Sequence, residues 1–487
     1  MAKGKKSDLN GIPHLKRHGD TVQLIVDGKP FLILGGELGN SSASSLDYMK
    51  PIWPKLVQMN LNTVLAPVYW ELIEPKEGKF DFTLVDGLVA GARKHNLRLV
   101  LLWFGSWKNS MSCYVPQWVK TDQKRFPRAR LKNGQAIEIL SAFSNANLDA
   151  DMKAFAALMR HIRKADSKKH TVIMVQVENE IGMLGDARDY SDAANKAFQQ
   201  QTKNDESFMA EHYARFVNQI AAAGKAEYPL PMFVNAALNR PNQKPGQYPS
   251  AGPLPHLFDI WKTAAPQIDF LAPDIYFLDF ADWCEKYHRP GNPLFIPETG
   301  RDMRSEVNVF YALGQYDAIG FSPFAIESTP EPETSPISKS YEMLSQMTPL
   351  ILENQGKGTM AGVLLDKDKQ TCEIKLGQYK LKISHDYVWE WSGAPKDASV
   401  WPAVGGIIIS TGPDEYIIAG TGLIVTFAPD TSSDSLAGII SVQEEVCEDG
   451  HWRGGRRLNG DENHQGRHLR LPFDRFGIQR IKLYRYC

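Results

Sequence analysis

Short apolar runs alternate with longer amphipathic stretches between about residues 31 and 354 of this chain. The runs are rich in Val, Ile, Leu and Phe at consecutive positions, which is typical of strands buried on both faces. They lie at Phe31–Leu38, Thr63–Trp70, Arg98–Trp107, Val172–Glu180, Met232–Leu238, Phe270–Tyr276, Leu294–Glu298 and Ala318–Glu327. Helical patterns lie between or after them at Leu46–Gln58, Thr83–His95, Asp149–Lys164, Glu206–Ala223 and Ser340–Glu353.

This repeated order predicts an α/β fold, a (β/α)₈ TIM barrel with units of about 35 to 40 residues. A doubly wound open sheet is the alternative, but no Gly-rich phosphate-binding segment follows the first strands. Before the barrel, Val22–Val26 and the turn pair Asp27-Gly28 predict a hairpin that closes the barrel bottom. Glu327–Pro336 is crowded with Pro, Ser, Thr and Glu, and we interpret it as the last loop of the barrel rather than a linker.

The pattern changes beyond about residue 356, where short strands are separated by Gly, Asp and Pro. This spacing predicts an all-β sandwich. We therefore expect a barrel domain with its hairpin at residues 1–355 and a C-terminal β-sandwich at 356–487. The strands are predicted at Val363–Leu365, Cys372–Leu376, Tyr379–Ile383, Gly406–Ser410, Glu415–Ala419, Leu423–Ala428, Gly438–Glu444 and Arg480–Tyr484.

Composition narrows the class of partner. Lysine plus arginine number 55 and aspartate plus glutamate 56, so the net charge of -1 gives no reason to expect nucleic acid or an anionic membrane. No run approaches the length of a membrane span, and the first residues lack the apolar segment of a secretory signal.

The 5 cysteines do not resemble a disulfide framework, and their odd number predicts at least one free thiol.

Two glutamates end predicted strands on opposite sides of the barrel. Glu180 ends the fourth run and Glu298 the seventh. Ligand-binding residues of such barrels lie at the C-terminal ends of the strands, so both carboxyl groups could face one substrate. Hydrolysis of a glycosidic bond with retention requires two carboxyl groups about 5 to 5.5 Å apart, against about 6.5 to 9.5 Å with inversion. An ion pair with an arginine is the structural alternative for each glutamate.

Two further side chains favour the catalytic interpretation. Asn179 precedes Glu180, and an amide beside the acid can hold the 2-hydroxyl of a sugar. Tyr276 ends the sixth run and could donate a hydrogen bond to the nucleophile. For Tyr276 the alternative is a core tyrosine whose hydroxyl is satisfied locally.

The segment Gln176-Val177-Glu178-Asn179-Glu180-Ile181-Gly182 resembles the acid/base motif of family 35 glycoside hydrolases, the β-galactosidases of the large (β/α)₈ hydrolase clan. The second strand is similar to that family too, with an aromatic strand followed by Glu-Pro, a glycine and an aromatic pair. Its matching segments are Asn62-Thr63-Val64, Pro67-Val68-Tyr69-Trp70-Glu71, Glu74-Pro75 and Gly78-Lys79-Phe80-Asp81-Phe82. The resemblance covers roughly residues 20 to 350.

The resemblance implies a retaining exo-β-glycosidase, with Glu180 as acid/base, Asn179 as its sugar-binding neighbour and Glu298 as nucleophile. It implies that terminal galactose is removed from oligosaccharides or polysaccharide side chains, with no cofactor or metal. It also favours an exported bacterial enzyme, while a cytoplasmic protein stays open. The chain departs from the family at Gly35–Asn40, which replaces a segment with Ser and His, and at Pro297–Gly300. These departures leave another β-linked sugar (arabinose, glucose or xylose) as an alternative substrate.

Weaker candidates lie at other strand ends. Glu37, at the end of the first strand, could accept hydrogen bonds from sugar hydroxyls, or be a buried structural carboxylate. Tyr69 and Glu71 lie at the end of the second strand. Trp107 and Trp103, on the third strand, could form a sugar platform, with core packing as the alternative for Trp103. The last candidate for substrate contact is Glu327, at the end of the eighth strand.

A zinc site and a non-catalytic barrel are the remaining alternatives. Cys447, His451, His464 and His468 have spacing compatible with zinc, but the residues between them indicate a mobile hairpin, so we expect no metal. A carbohydrate-binding barrel without activity is disfavoured because both glutamates, Asn179 and Tyr276 are present together. The sequence does not predict the oligomeric state.

Overall fold

The computed structural model describes residues 11–301, 304–393, 399–430, 435–448 and 451–487. Its first part is a closed barrel of parallel strands surrounded by helices. Up to residue 323 the strands are β1 (His14–His18), β2 (Thr21–Val26), β3 (Lys29–Phe31), β4 (Ile33–Glu37), β5 (Thr63–Tyr69), β6 (Arg98–Lys108), β7 (Arg128–Arg130), β8 (Ala136–Leu140), β9 (Val172–Asn179), β10 (Met232–Ala237), β11 (Phe270–Ile275), β12 (Phe295–Thr299) and β13 (Gly320–Pro323).

The helices lie between and after these strands. They are α1 (Leu46–Met49), α2 (Ile52–Gln58), α3 (Trp70–Ile73), α4 (Thr83–Lys94), α5 (Gln117–Thr121), α6 (Asn145–Asp166), α7 (Asp192–Phe198), α8 (Asp205–Glu227), α9 (Phe258–Ala264), α10 (Phe280–Tyr287), α11 (Ser305–Tyr316) and α12 (Pro336–Asn354). Side chains cap several of the long ones, since Ser144 and Asn204 accept hydrogen bonds from backbone amides in the first turns of α6 and α8. In the described part of the chain, no helix is both long and apolar enough to cross a membrane.

The predicted (β/α)₈ barrel is confirmed. Strands β4, β5, β6, β9, β10, β11, β12 and β13 pair in this order, all parallel, and β13 pairs back with β4. Helices cover the outer face of such strands, so both faces of the strands are shielded from solvent. In β9 every residue is buried. The carboxyl ends of all these strands therefore meet at one rim, which is where the candidate site lies.

Some predicted elements differ from the structure. The expected helix Leu46–Gln58 is two helices, because Pro51 lacks the N–H that a continuous helix needs at that position. The expected eighth strand is only the four residues of β13, because Ala325 adopts a left-handed conformation with φ 49°. The prediction that Glu327 ends a strand is therefore wrong. Glu327 lies in a single 3₁₀ turn, Ile326–Ser328.

A small antiparallel sheet of β1, β2 and β3 lies at the opposite end of the barrel from the candidate site. The β2–β3 turn places Asp27 and Gly28 at φ 52° and 76°, the left-handed conformations of a two-residue hairpin turn. Asp27 accepts a hydrogen bond of 2.6 Å from Arg98, the first residue of β6. This contact fixes the sheet at the amino-terminal rim of the barrel.

The C-terminal part is all-β, as predicted. Its strands are β14 (Met360–Leu365), β15 (Thr371–Leu376), β16 (Tyr379–His385), β17 (Val404–Gly412), β18 (Glu415–Thr421), β19 (Leu423–Pro429), β20 (Leu436–Glu448), β21 (His451–Leu458), β22 (Leu469–Leu471) and β23 (Gly477–Tyr486). One sheet has the order β14-β17-β18-β23-β20-β21 and the other β15-β16-β19-β22. Arg453–Arg457 lies in a β-hairpin, as predicted, because β21 pairs with β20 over this segment.

The sandwich packs closely against α11 of the barrel. A side chain at Gly314 would meet the backbone oxygen of Ala361 at 2.8 Å, and one at Gly362 would meet that of Tyr311 at 2.5 Å. These two glycines permit the backbones of α11 and β14 to approach. Phe310 and Phe476 also stack across the contact, with ring centroids 5.9 Å apart.

Candidate active site

Four carboxyl groups meet inside the carboxyl-terminal rim of the barrel. Glu37 is the last residue of β4, Glu180 follows β9, Asp274 lies in β11 and Glu298 lies in β12. All four are buried, with exposed fractions between 1% and 6%. One carboxylate oxygen each from Glu180, Asp274 and Glu298 lies within 4.8 Å of the others. The structure therefore brings the two predicted catalytic glutamates together and adds Asp274, which the sequence analysis did not single out.

The backbone around Glu180 is held in an unusual conformation. Glu178 and Glu180 have φ values of 63° and 45°, and left-handed residues other than glycine cost about 1–3 kcal/mol each. Hydrogen bonds hold this turn on both sides. The Glu180 amide donates to the side-chain oxygen of Asn235 at 3.0 Å, and the Ser110 amide donates to the Glu180 carbonyl at 3.0 Å. The conformation aims the carboxyl group of Glu180 into the mouth, where the Asn109 amide donates to it.

Glu298 has a different set of partners. The Tyr276 hydroxyl donates to one of its oxygens at 2.6 Å, as the sequence interpretation proposed for a nucleophile. The second oxygen of Glu298 is buried and has no hydrogen-bond donor among the described residues. Tyr276 itself is 49% exposed, so the nucleophile candidate sits beneath a side chain that also borders the open mouth.

The pKa of Glu180 differs from that of an ordinary surface glutamate because of its electrostatic environment. Burial, and after it the charge of Glu298, raises the pKa of Glu180 to about 7. Lys108, at the end of β6, and a hydrogen bond from Asp274 both act in the opposite direction. At neutral pH Glu180 can therefore hold a proton or release it, as a group that serves as both acid and base must.

The pKa values of Glu37 and Asp274 are also raised, and for the same reasons. Burial, and after it the charge of Glu298, raises the pKa of each carboxyl group well above its ordinary value. Lys108 lowers both values but does not cancel the other effects. The side chain of Lys108 is nearly buried, and its ammonium lies 5.2 Å from the ring centroid of Phe104. Lys108 thus partly neutralises a strongly acidic site.

Asn179 is fully buried beside these carboxyl groups. Neither its side-chain oxygen nor its side-chain nitrogen has a hydrogen-bond partner in the described part of the chain. Leaving both a donor and an acceptor unpaired in a buried place is costly, and such groups are rare without a ligand or water to satisfy them. This arrangement suits a side chain that binds a hydroxyl group of a substrate.

Tyr69 and Glu327 form a second polar group at the rim. Glu327 accepts hydrogen bonds from the Gly39 amide at 2.9 Å and from the Ser42 hydroxyl. Its other oxygen and the Tyr69 hydroxyl are buried, and neither has a partner among the described residues. Burial, then Tyr114 and the charge of Glu327, raises the pKa of Tyr69. Both side chains thus keep a polar atom free for a ligand.

Trp107 is not where the sequence interpretation placed it. Its side chain is fully buried against Tyr213 and Phe216 of α8, with ring centroids 5.0 and 4.7 Å away, so it is not a platform in the mouth. Trp103 also points outwards, and its indole donates to Asp151 at 2.8 Å. These tryptophans join the barrel to its helices.

Four site residues were missed by the sequence analysis: Lys108, Asn109, Asn235 and Asp274. A usable signal exists for two of them. Asn235 and Asp274 are polar residues inside the otherwise apolar strands β10 and β11, and a polar residue in a dry strand must find a partner. The Asn235 side chain donates to Asp274 at 2.6 Å.

Two places in the chain hold residue types that can bind a metal. One oxygen each of Glu180, Asp274 and Glu298 lies close enough to the others to share a cation, and one oxygen of each group accepts a hydrogen bond, from Asn109, Asn235 and Tyr276 respectively. In the described ranges, the cysteine and histidines of the suspected zinc site do not gather into a group of three or more. His464 instead stacks on Trp391, and the His468 ring lies edge-on to Trp389.

Comparisons with known proteins agree with this architecture. Residues 23–343 match the family model described as glycosyl hydrolases family 35, and residues 337–470 match a domain of unknown function (DUF5597). A β-galactosidase of Xanthomonas manihotis is 30% identical over 183 residues, which are 36% of this chain and 28% of that relative. The crystal structure of a β-galactosidase from Bacillus circulans sp. alkalophilus is similar in fold with a TM-score of 0.51 and 14% identity, over 66% of this chain and 57% of the other.

The chain thus spans only part of the length of these two proteins. The family model, in contrast, covers more than half of the chain and contains all four carboxyl groups of the site. This chain belongs to family 35 of the glycosyl hydrolases.

Proposed function

We propose that this chain is a retaining exo-β-glycosidase that releases terminal galactose from oligosaccharides or polysaccharide side chains. The observation that carries the proposal is the approach of a Glu180 oxygen to within 4.8 Å of a Glu298 oxygen at the rim of the barrel. Retaining glycosidases hold their two carboxyl groups about 5–5.5 Å apart, whereas inverting ones need about 6.5–9.5 Å to admit a water molecule. The short separation favours direct attack by a carboxylate.

In the first step Glu298 attacks the anomeric carbon while Glu180 gives its proton to the glycosidic oxygen. The bond between that carbon and oxygen breaks, the aglycone leaves as an alcohol, and a covalent glycosyl-enzyme remains. Two contacts support these roles. The hydrogen bond from Tyr276 orients Glu298, and the raised pKa of Glu180 keeps a proton available near neutrality.

In the second step Glu180, now a carboxylate, takes a proton from the water that attacks the same carbon. The bond to Glu298 breaks, the sugar leaves with its original configuration, and Glu180 is again protonated. Asn179 is proposed to hold a sugar hydroxyl through both steps, since its two polar atoms have no partner in the described residues.

The charge of the site supports a neutral sugar. Glu37, Glu180, Asp274 and Glu298 surround the place of reaction, with Lys108 as the neighbouring cation. A uronic acid or a sulfated sugar would be repelled by the ionised nucleophile. Galactose is proposed because both relatives described above are β-galactosidases, and Glu327 and Tyr69 offer free polar atoms for its hydroxyls.

A panel of nitrophenyl β-glycosides tests this proposal. We expect release of nitrophenol from the β-galactoside by the native protein and none by the Glu298→Gln variant. Release from a β-arabinoside, β-glucoside or β-xyloside instead would retain the reaction and replace the sugar. The α-galactoside is the matched control. Release from the α-galactoside alone, or from no compound of the panel, would contradict the proposal.

A further inference from the structure

Two buried carboxyl groups of the site have no part in double displacement. Glu37 and Asp274 are exposed by only 1% and 2%, and both point into the space around Glu180 and Glu298. A buried carboxylate needs donors or a cation, and both are scarce here. The following inference rests on the proposed function for the roles of Glu180 and Glu298.

Three of the buried carboxyl groups each have one oxygen without a hydrogen-bond donor. One oxygen each of Glu37, Asp274 and Glu298 is buried and has no donor among the described residues. An ionised carboxylate only accepts hydrogen bonds, so unpaired oxygens that face one another would repel. A proton on one member of a facing pair turns the repulsion into a short, charge-assisted hydrogen bond.

The partners of the remaining oxygens favour one way of pairing the four carboxyl groups. Tyr276 already donates to one oxygen of Glu298, and Asn235 to one oxygen of Asp274. Oxygens of Asp274 and Glu180 lie within 4.8 Å of each other, and a hydrogen bond from Asp274 lowers the pKa of Glu180, while one to Glu298 raises the pKa of Glu37. Each proposed catalytic carboxyl group therefore has a second carboxyl group as its neighbour.

The surrounding charges favour the neutral form of both neighbours. Glu37 faces Glu298, Glu180 and the cation Lys108, and Asp274 faces the same three groups and Glu37. Burial is the largest influence on both, and it penalises the charged form. One lysine cannot balance four ionised carboxylates, so some must carry protons.

We propose that Glu37 and Asp274 stay protonated at the pH of catalysis and act as positioning residues, Glu37 by donating a hydrogen bond to Glu298 and Asp274 by donating one to Glu180. Glu37 and Tyr276 then hold the two oxygens of the nucleophile from two sides. Asp274 stabilises the Glu180 carboxylate that forms once the aglycone has taken its proton. Neither residue exchanges a proton with substrate in this scheme.

Paired substitutions test the hydrogen-bond roles. Glu37→Gln and Asp274→Asn retain a neutral donor of similar shape, whereas Glu37→Met and Asp274→Leu remove it. We expect each amide variant to exceed its apolar counterpart in kcat/KM by about 10- to 100-fold, the effect of a hydrogen bond to a charged group. The acidic limb of the pH profile should not move in Glu37→Gln, because no charge is removed. Equal activity within each pair, or a limb displaced by about one pH unit, would overturn the proposal.

Infrared spectroscopy tests the protonation without catalysis. At about pH 6, where an ordinary glutamate or aspartate is ionised but Glu180 can still act as the acid, the native protein minus Glu37→Gln should show a band of a protonated carboxyl group, and so should native minus Asp274→Asn. Carboxylate bands in these difference spectra would overturn the proposal. Thermal unfolding confirms that each variant is folded. If the native protein cleaved no glycoside but showed both protonated bands, the proposed function would fail while the protonation stood.

Discussion

Replacing Glu298 with glycine is expected to reduce hydrolysis of the β-galactoside by about 10⁴-fold or more, because no other group can form the covalent intermediate. Azide should then restore turnover. The vacated space admits azide on the face from which Glu298 attacked, while Glu180 still protonates the leaving group. The product should be the α-glycosyl azide, identified by nuclear magnetic resonance.

The matched control for this variant is Glu353→Gln. Glu353 is 71% exposed near the end of α12, far in the fold from the rim, and pairs only weakly with Lys357 at 3.8 Å. It should retain the native kcat/KM. Native-like hydrolysis by Glu298→Gly without azide would show that Glu298 is not the nucleophile.

Replacing Glu180 with alanine is expected to affect substrates according to their leaving groups. With a poorly acidic alcohol as aglycone, kcat/KM should fall by about 10²- to 10⁴-fold, the usual contribution of general acid catalysis. With dinitrophenol, which leaves without a proton, formation of the glycosyl-enzyme should be much less affected. Azide should trap that intermediate from the opposite face and give the β-glycosyl azide. An equal loss on both substrates would contradict the role of Glu180.

The pH profile gives the same assignment a second test. The first step needs protonated Glu180, so activity of the native protein should fall as the pH rises through about 7. Because burial and Glu298 raise this pKa, the fall lies well above the range of an ordinary glutamate. The alanine variant should lack this alkaline limb. A limb that persists unchanged would have to come from another group.

The barrel and its two central carboxyl groups could be predicted because their signals are local. Runs of apolar residues mark dry strands, and Glu180 and Glu298 come at the ends of two of them. Tyr276 could be placed for the same reason, one residue after β11. The resemblance to family 35 added the roles of the two glutamates, which strand position alone does not distinguish.

Other side chains depend on features that the pattern does not show. The pairing of β6 with β9 shifts register between Trp103 and Lys108, so simple alternation fails there. Trp107 consequently faces the helices, and Lys108, beside Phe104, faces the carboxyl groups. Glu327 lies in a 3₁₀ turn and not at the predicted strand end, because Ala325 adopts a left-handed conformation. Such departures are set by tertiary packing and not by local preference.

The stereochemistry of hydrolysis tests the central claim most directly. The native protein would be mixed with a β-galactoside, and the anomeric proton of the first galactose released would be followed by nuclear magnetic resonance before mutarotation. Attack by Glu298 followed by attack of water predicts that the β-anomer appears first. Initial release of the α-anomer would mean single displacement by water, and would contradict a mechanism in which Glu180 and Glu298 act across the short distance seen here.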